Sequence, residues 1–367
     1  MEKTIANNGV VQQNRDPWID NIRAVLVFLV VVGHFLITMT GHSAEMLWLR
    51  KFIYLFHMPA FLMLSGMLLK RKINQRRYSD GIKRYLVPYL ICNFVMFFLF
   101  QFIGADNSGI AAQSEGLVFE PFLPYYSFWY LIVIFLYLAI TPTLLKIGDT
   151  SPQSKYRPAV VFAAAVLCSV VIGLSKHYIK FLYLSPAIGF YPFFLMGYFL
   201  DPEKMRKFLK NKAVILISAV LWIGVIALSW NFSSQIDLTT FTMVRLAPAA
   251  LAGQSILIRG GYRILVLVIG AVLSLMLFAV VPQKETVFSR IGRYSAYPYC
   301  IHTFILPYLF YSMDLSILDP FYSTTGYVII LSVCAVLTWL LTSEPVRKVF
   351  RPIVEPKVDW SFLFSKE

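Results

Sequence analysis

Arg23 and His34 stand eleven positions apart in a stretch that is otherwise almost wholly apolar, reading Ile19-Asp20-Asn21-Ile22-Arg23 and running on to Val32-Gly33-His34-Phe35. At about 100° per residue in a helix that spacing is roughly 1100°, so the two side chains share one face within about 20° and differ in height by about 16 Å. Asp20 lies roughly 40° from His34 on the same side. One stripe therefore carries an acid and a guanidinium at one end and an imidazole farther along, at mid-membrane in this reading. Neutral imidazole takes up a proton near physiological pH, and a guanidinium holds anions through its forked N–H donors. Inside a bilayer such groups are expensive to keep, which makes each a candidate for function. The structural alternatives are an interhelical hydrogen bond for His34 and an interfacial topology marker for Arg23.

Other candidates follow along the chain. Phe56-His57-Met58-Pro59 leads to Leu64-Ser65-Gly66. A proline within a membrane helix frees a carbonyl and kinks the chain, and His57 stands where it could bond that irregular backbone; Ser65-Gly66 reads as a close contact between helices. A basic loop holds Lys70, Arg71, Lys72, Arg76, Arg77, Lys83 and Arg84. It suits anionic lipid headgroups or a nucleotide phosphate such as the 3′-phospho-ADP part of coenzyme A. Ser127-Phe128-Trp129-Tyr130-Leu131 opens an apolar run and fits an aromatic belt. Gly292-Arg293-Tyr294-Ser295 precedes Tyr299 and His302. Ser295 and His302 share a helix face but sit two turns apart, about 10 Å, too far for a nucleophile and its base.

The elements that must position these residues are membrane spans. Of the 367 residues, 58% are hydrophobic and 14% charged, against about 25% charged in globular chains. Apolar runs recur at approximately 19–40, 48–69, 85–104, 125–145, 158–175, 181–200, 213–230, 262–281, 295–312 and 325–343. This predicts an all-α polytopic membrane protein of about ten transmembrane helices, and excludes a soluble enzyme with one anchor and a disulfide scaffold. The net charge of +14 does not point to nucleic acid, because the basic residues mark short loops between spans. Their distribution predicts both termini on the cytoplasmic side of a cell membrane, provided the apolar segment 241–258, broken by Arg245, Pro248 and Gly253, is re-entrant and does not cross. The expected division is a cytoplasmic tail at 1–16, a transmembrane domain at 17–352 and a second cytoplasmic tail at 353–367. Cys92, Cys168, Cys300 and Cys334 all fall in apolar stretches, so they read as unpaired thiols with no metal-ligand spacing.

These motifs, in this order, resemble the integral-membrane acyltransferase family 3, and within it the fucose 4-O-acetylase-like sugar O-acetyltransferases. The resemblance rests on Arg23 and His34, Phe56-His57-Met58-Pro59 with Leu64-Ser65-Gly66, Pro88-Tyr89 after the basic loop, Phe128-Trp129-Tyr130-Leu131, Gly292 to His302, and Ser343-Glu344-Pro345-Val346-Arg347 to Pro352. It implies transfer of an acetyl or other acyl group from cytoplasmic acyl-CoA, acetyl-CoA being the usual donor, to a hydroxyl of a cell-surface or lipid-linked carbohydrate, without a metal. The resemblance makes Arg23 and His34 the pair essential to transfer, with His34 as base or proton relay, Asp20 tuning Arg23, and His302 a second candidate. Arg76, Arg77, Lys83 and Arg84 are the donor-binding candidates, though the family's Arg-x-x-Arg spacing is absent. His57, Ser65, Trp129 and Tyr299 would bind substrate or shape the site. The oxyanion would fall to Arg23, to a hydroxyl such as Ser65, or to backbone N–H near Pro59. The competing reading is a proton-coupled transporter or permease for a sugar or lipid-linked glycan.

Overall fold

The computed structural model describes residues 15–39, 43–75, 78–103, 119–149, 151–175, 178–233, 253–311 and 321–356. Among them every regular element is a helix. The first half holds α1 (Pro17–Phe35), α2 (Ala44–Tyr54), α3 (His57–Asn74), α4 (Tyr78–Gly81), α5 (Val87–Phe102), α6 (Trp129–Leu144) and α7 (Arg157–Leu174). The second holds α8 (Leu184–Phe199), α9 (Pro202–Leu209), α10 (Lys212–Asn231), α11 (Ile256–Val280), α12 (Ser289–Arg293), α13 (Ala296–Tyr311), α14 (Thr324–Leu340) and α15 (Glu344–Val354). In lipid only helices or closed barrels satisfy every backbone group, so apolar runs of this length become helices.

Starts are written locally. Asp16, Ser43, Asp201, Asn211, Ser255 and Ser323 each cap a helix by accepting a backbone N–H with the side chain. Eight helical stretches among the described residues are long and apolar enough to cross a membrane, and α14 with α15, bent by 73° where they meet, adds a ninth when the pair is counted as one span. α13, 16 residues long, occupies the place of the span expected at 295–312. The molecule is a multi-pass membrane protein.

The packing also fixes which helix ends share a face. Trp18 Nε1 donates to the Phe278 carbonyl at 3.0 Å, and Asn21 Nδ2 donates to the carbonyls of Pro282 and Lys284, each at 2.8 Å. The end of α11 therefore lies beside the start of α1. Trp48 Nε1 donates to Ser229 Oγ at 3.0 Å and Lys51 Nζ to the Ser233 carbonyl at 2.6 Å, so α10 ends beside α2, which follows the far end of α1. Thus α10 ends, and α11 begins, on the face opposite Pro17. The described ends on either side of residues 234–252 therefore share a face, as the ten-span reading requires. Of segment 241–258, residues 256–258 form the first turn of α11, a correction to its expected extent; residues 241–252 lie outside the described residues.

α3 and α8 are the innermost pair. A Cβ on Gly66 would lie 2.0 Å from the Phe194 carbonyl oxygen, and one on Gly197 1.8 Å from that of Met63. Only hydrogen fits at either crossing point, which is the contact Ser65-Gly66 led us to expect. By contrast α7, α10 and α14 show apolar side chains such as Leu167, Ile223 and Val336 outward, the lipid-facing rim.

Candidate active site

At the N-terminal face Asp20 is buried and lies 3.8 Å from Arg23 and 3.9 Å from Arg293. The second contact depends on glycine: a Cβ on Gly292 would sit 1.6 Å from the Asp20 carbonyl oxygen, so α12 packs on the α1 backbone itself. Arg23 keeps 25% of its side chain exposed. The charge of Arg84, and the hydroxyls of Tyr85 and Tyr130, lie close enough to act on it. Lys83 and Arg84 are exposed on a π-helical turn, Ile82–Leu86, that leads into α5. Asp20 thus lies between Arg23 and Arg293, and the charge of Arg84 acts on Arg23 with no carboxylate of its own there, an arrangement suited to an anion. Arg76 and Arg77, the other donor-binding candidates, lie outside the described residues.

His34 falls in the last turn of α1, about 21 Å beyond Asp20 at 1.5 Å per residue. It is therefore nearer the opposite face than the mid-membrane level expected from sequence. There it meets His302 of α13: His34 Nδ1 and His302 Nε2 are 2.9 Å apart, with the rings only 16° from parallel. His302 is fully buried and its Nδ1 lies 2.7 Å from the Pro298 carbonyl. A carbonyl only accepts, so His302 Nδ1 carries hydrogen and, in the neutral ring, Nε2 carries a lone pair. His34 Nδ1 must then donate to that lone pair, and His34 Nε2 is left unprotonated. A base with its other nitrogen pinned by an orienting group is the arrangement general-base chemistry needs.

Between Arg23 and this pair runs a column of hydroxyls. Ser65 Oγ donates to the Phe61 carbonyl at 2.7 Å and is 2.6 Å from the Tyr130 hydroxyl. The Tyr130 ring packs 5.6 Å from Tyr299, itself 6.4 Å from His302. Tyr299 donates to the Ser127 carbonyl, and Ser127 Oγ is 2.5 Å from Thr303 Oγ1. A run of contacts therefore leads from Ser65 through Tyr130 and Tyr299 to His302 and His34, with Arg23 and Asp20 at its other end.

His57 is placed beside them by a break in the second span, not by a proline kink. The helix stops at Tyr54 and restarts at His57, so Pro59 sits in a first turn where its missing N–H costs nothing. His57 Nδ1 donates to the Ile53 carbonyl at 2.9 Å, and its ring stands edge-on to Tyr54 at 4.7 Å. Arg50 of α2 rides over that same Tyr54 ring, 5.2 Å from its centre. Arg50 falls within the apolar run at 48–69, and a charge there was the signal for it in the sequence. Tyr54 and Tyr130 carried none, since tyrosines are common at membrane interfaces. Trp129 is one layer removed, sandwiched between Tyr183 at 5.6 Å and Phe190 at 5.5 Å.

A membrane bundle with a pinned imidazole pair at one end and clustered guanidiniums at the other has the parts of a group-transfer enzyme. Residues 16–343 match the acyltransferase domain family, and the chain belongs to that family. It is similar to the nodulation protein NolL of Sinorhizobium fredii, 25% identical over 220 residues that are 56% of this chain and 55% of that protein. NolL of Mesorhizobium japonicum is 23% identical over 192 residues, 50% and 48% of the two chains. The chain spans about half the length of the curated relatives it matches. No solved structure matches it.

Proposed function

We propose that this acyltransferase moves an acetyl group from acetyl-CoA, bound from the cytoplasm at the N-terminal face, to a hydroxyl of a carbohydrate presented at the opposite face, free, polymeric or lipid-linked. The observation that carries the reading is the unprotonated Nε2 of His34, left by the Pro298–His302–His34 chain of hydrogen bonds. Arg23 and Arg84 would hold the phosphates of the donor, with Arg76, Arg77 and Lys83 nearby in sequence. The roughly 16 Å from Arg23 to His34 is a gap that the extended pantetheine arm of coenzyme A can bridge. Trp129, held between Tyr183 and Phe190, would shape the acceptor end of the site without itself presenting a ring face to the sugar.

In the reaction His34 Nε2 takes the proton of the acceptor hydroxyl as that oxygen bonds to the thioester carbonyl carbon. The carbon–sulfur bond breaks, and the proton returns from His34 to the leaving thiolate. His302 is a positioning residue: protonated or not at Nε2, His34 keeps donating from Nδ1. Both termini on the cytoplasmic side follow from the same orientation.

The test uses purified protein in proteoliposomes with acetyl-labelled acetyl-CoA and octyl β-glucoside as a neutral sugar acceptor. Label should pass to the glucoside as free coenzyme A appears. His34→Ala should lower the rate about 10²–10⁴-fold while the melting temperature in detergent stays put. Wild-type protein that leaves acetyl-CoA intact but moves the sugar across the bilayer would instead be a permease.

A further inference from the structure

The oxyanion of an acyl transfer forms within bonding distance of the base that activates the nucleophile, and Arg23, about 16 Å below His34, cannot reach it. The cation that can is on α2. A Cβ on Gly33, next to His34, would lie 3.1 Å from Tyr54 Cε2, and Arg50 lies over that ring with its Cζ 5.2 Å from the centre. His57 meets the same ring edge-on at 4.7 Å. One tyrosine thus touches the residue beside the base, a second imidazole and a guanidinium, and Arg50 and His57 lie close enough for their charges to act on His34. Resting on the acyl-transfer reading above, we propose that Arg50 is a further catalytic residue, the donor of hydrogen bonds to the carbonyl oxygen as it gathers negative charge beside His34.

Its partners leave it free for that task. Arg157 bonds Asp149, Arg206 bonds Asp16, and Arg293 bonds Asp20 and Glu285. Among the described residues Arg50 forms no ion pair, and its buried Nε has no hydrogen-bond partner. The neighbouring Lys51 is spent on the Ser233 carbonyl, turned toward α10. A part-buried guanidinium whose Nε is shut off from solvent without a partner calls for an anion that arrives with the reaction. The electrons balance without a further reactant. The acceptor oxygen adds to the carbonyl carbon as its proton passes to His34 Nε2, and the carbonyl π pair moves onto oxygen against Arg50. That pair then re-forms the C=O, and the thiolate leaves and takes the proton from His34. Arg50 stays protonated throughout.

The proteoliposome assay with acetyl-CoA and octyl β-glucoside tests this. Arg50→Gln should lower kcat about 10²–10³-fold, the size of a lost oxyanion donor, with KM for acetyl-CoA changed by less than about twofold, since that KM reports binding shared by ground and transition states. Arg50→Lys, which keeps the charge but loses the fork, should fall between Arg50→Gln and wild type. Arg50→Gln with wild-type kcat, or with only KM altered, overturns the proposal. So do Arg50→Lys and Arg50→Gln that fold with the wild-type melting temperature yet lose activity equally. A wild-type protein that releases no coenzyme A sinks the acyltransferase reading itself, and is told apart because every variant comparison then starts from zero.

Discussion

His302 reaches His34 across two helices, and the chain of donors and acceptors that results has a direction. It starts at the Pro298 carbonyl and ends at a bare nitrogen. A hydrogen bond between membrane helices averages about 0.6 kcal/mol, little return for burying two imidazoles, so the pair is better explained by what its free end can do. If His302 acts only by fixing the tautomer and aim of His34, then His302→Ala should cost kcat about 10²–10⁴-fold, and adding His34→Ala should cost almost nothing more, because residues acting as a unit are non-additive. Losses that multiply would assign the two rings separate tasks. Arg23 and His34 were legible in the sequence because an ionisable group in an apolar run is conspicuous. Their pairing was not: His302 lies 268 residues away from His34, and spacing within a helix says nothing about a partner on another. The same blindness hid Tyr130, which joins Ser65 to Tyr299 only in three dimensions.

Helices were the most legible feature, since length and hydropathy alone set them and caps such as Asp16, Ser43 and Asn211 mark their starts. What could not be read was the break at Leu55–Phe56. Pro59 suggested a kink at its own position, whereas the chain uses it in the first turn of a new helix and lets His57 Nδ1 take the Ile53 carbonyl. That break frees the Ile53 carbonyl for His57, and α2 sets Arg50 and Tyr54 beside the end of α1. The element that resists movement is the α3–α8 pair. A methyl group on Gly197 would meet the Met63 carbonyl oxygen at 1.8 Å, whereas nothing lies within 4 Å of a Cβ built on Gly224 in lipid-facing α10. Overpacking costs typically 1–3 kcal/mol and more where backbone is struck. Gly197→Ala should therefore destabilise by about 3 kcal/mol and lower the melting temperature in detergent by several degrees, while Gly224→Ala leaves it unchanged or raises it. Equal melting temperatures would mean that α3 and α8 do not cross backbone to backbone.

At the scale of the molecule the arrangement has two ends with different chemistry, and the proposed reaction needs them on different sides of a membrane. Lys83, Arg84, Lys204, Lys207, Lys210, Lys284 and Arg290 gather at the face where α1 begins, as expected of a cytoplasmic surface. The histidine pair lies toward the other. Whether donor and acceptor enter from opposite sides reduces to a parity argument: Asn231 and Ser255, flanking the stretch that carries Arg245 and Pro248, must share a side, and Lys210 and Lys284 must share the other. Single cysteines at these four positions, in a chain with Cys168→Ser, turn this into a measurement, because Cys92, Cys300 and Cys334 are buried. A membrane-impermeant maleimide applied to intact cells should label Asn231→Cys and Ser255→Cys, and should label Lys210→Cys and Lys284→Cys only once the cells are opened. Asn231→Cys and Ser255→Cys reacting from opposite sides would make the intervening stretch a true span and turn α11 to α15 over. All four reacting in the reverse sense would keep the fold but put Arg23 and Arg84 outside, where no acyl-CoA is made, and the donor would have to enter from the face that holds the histidine pair.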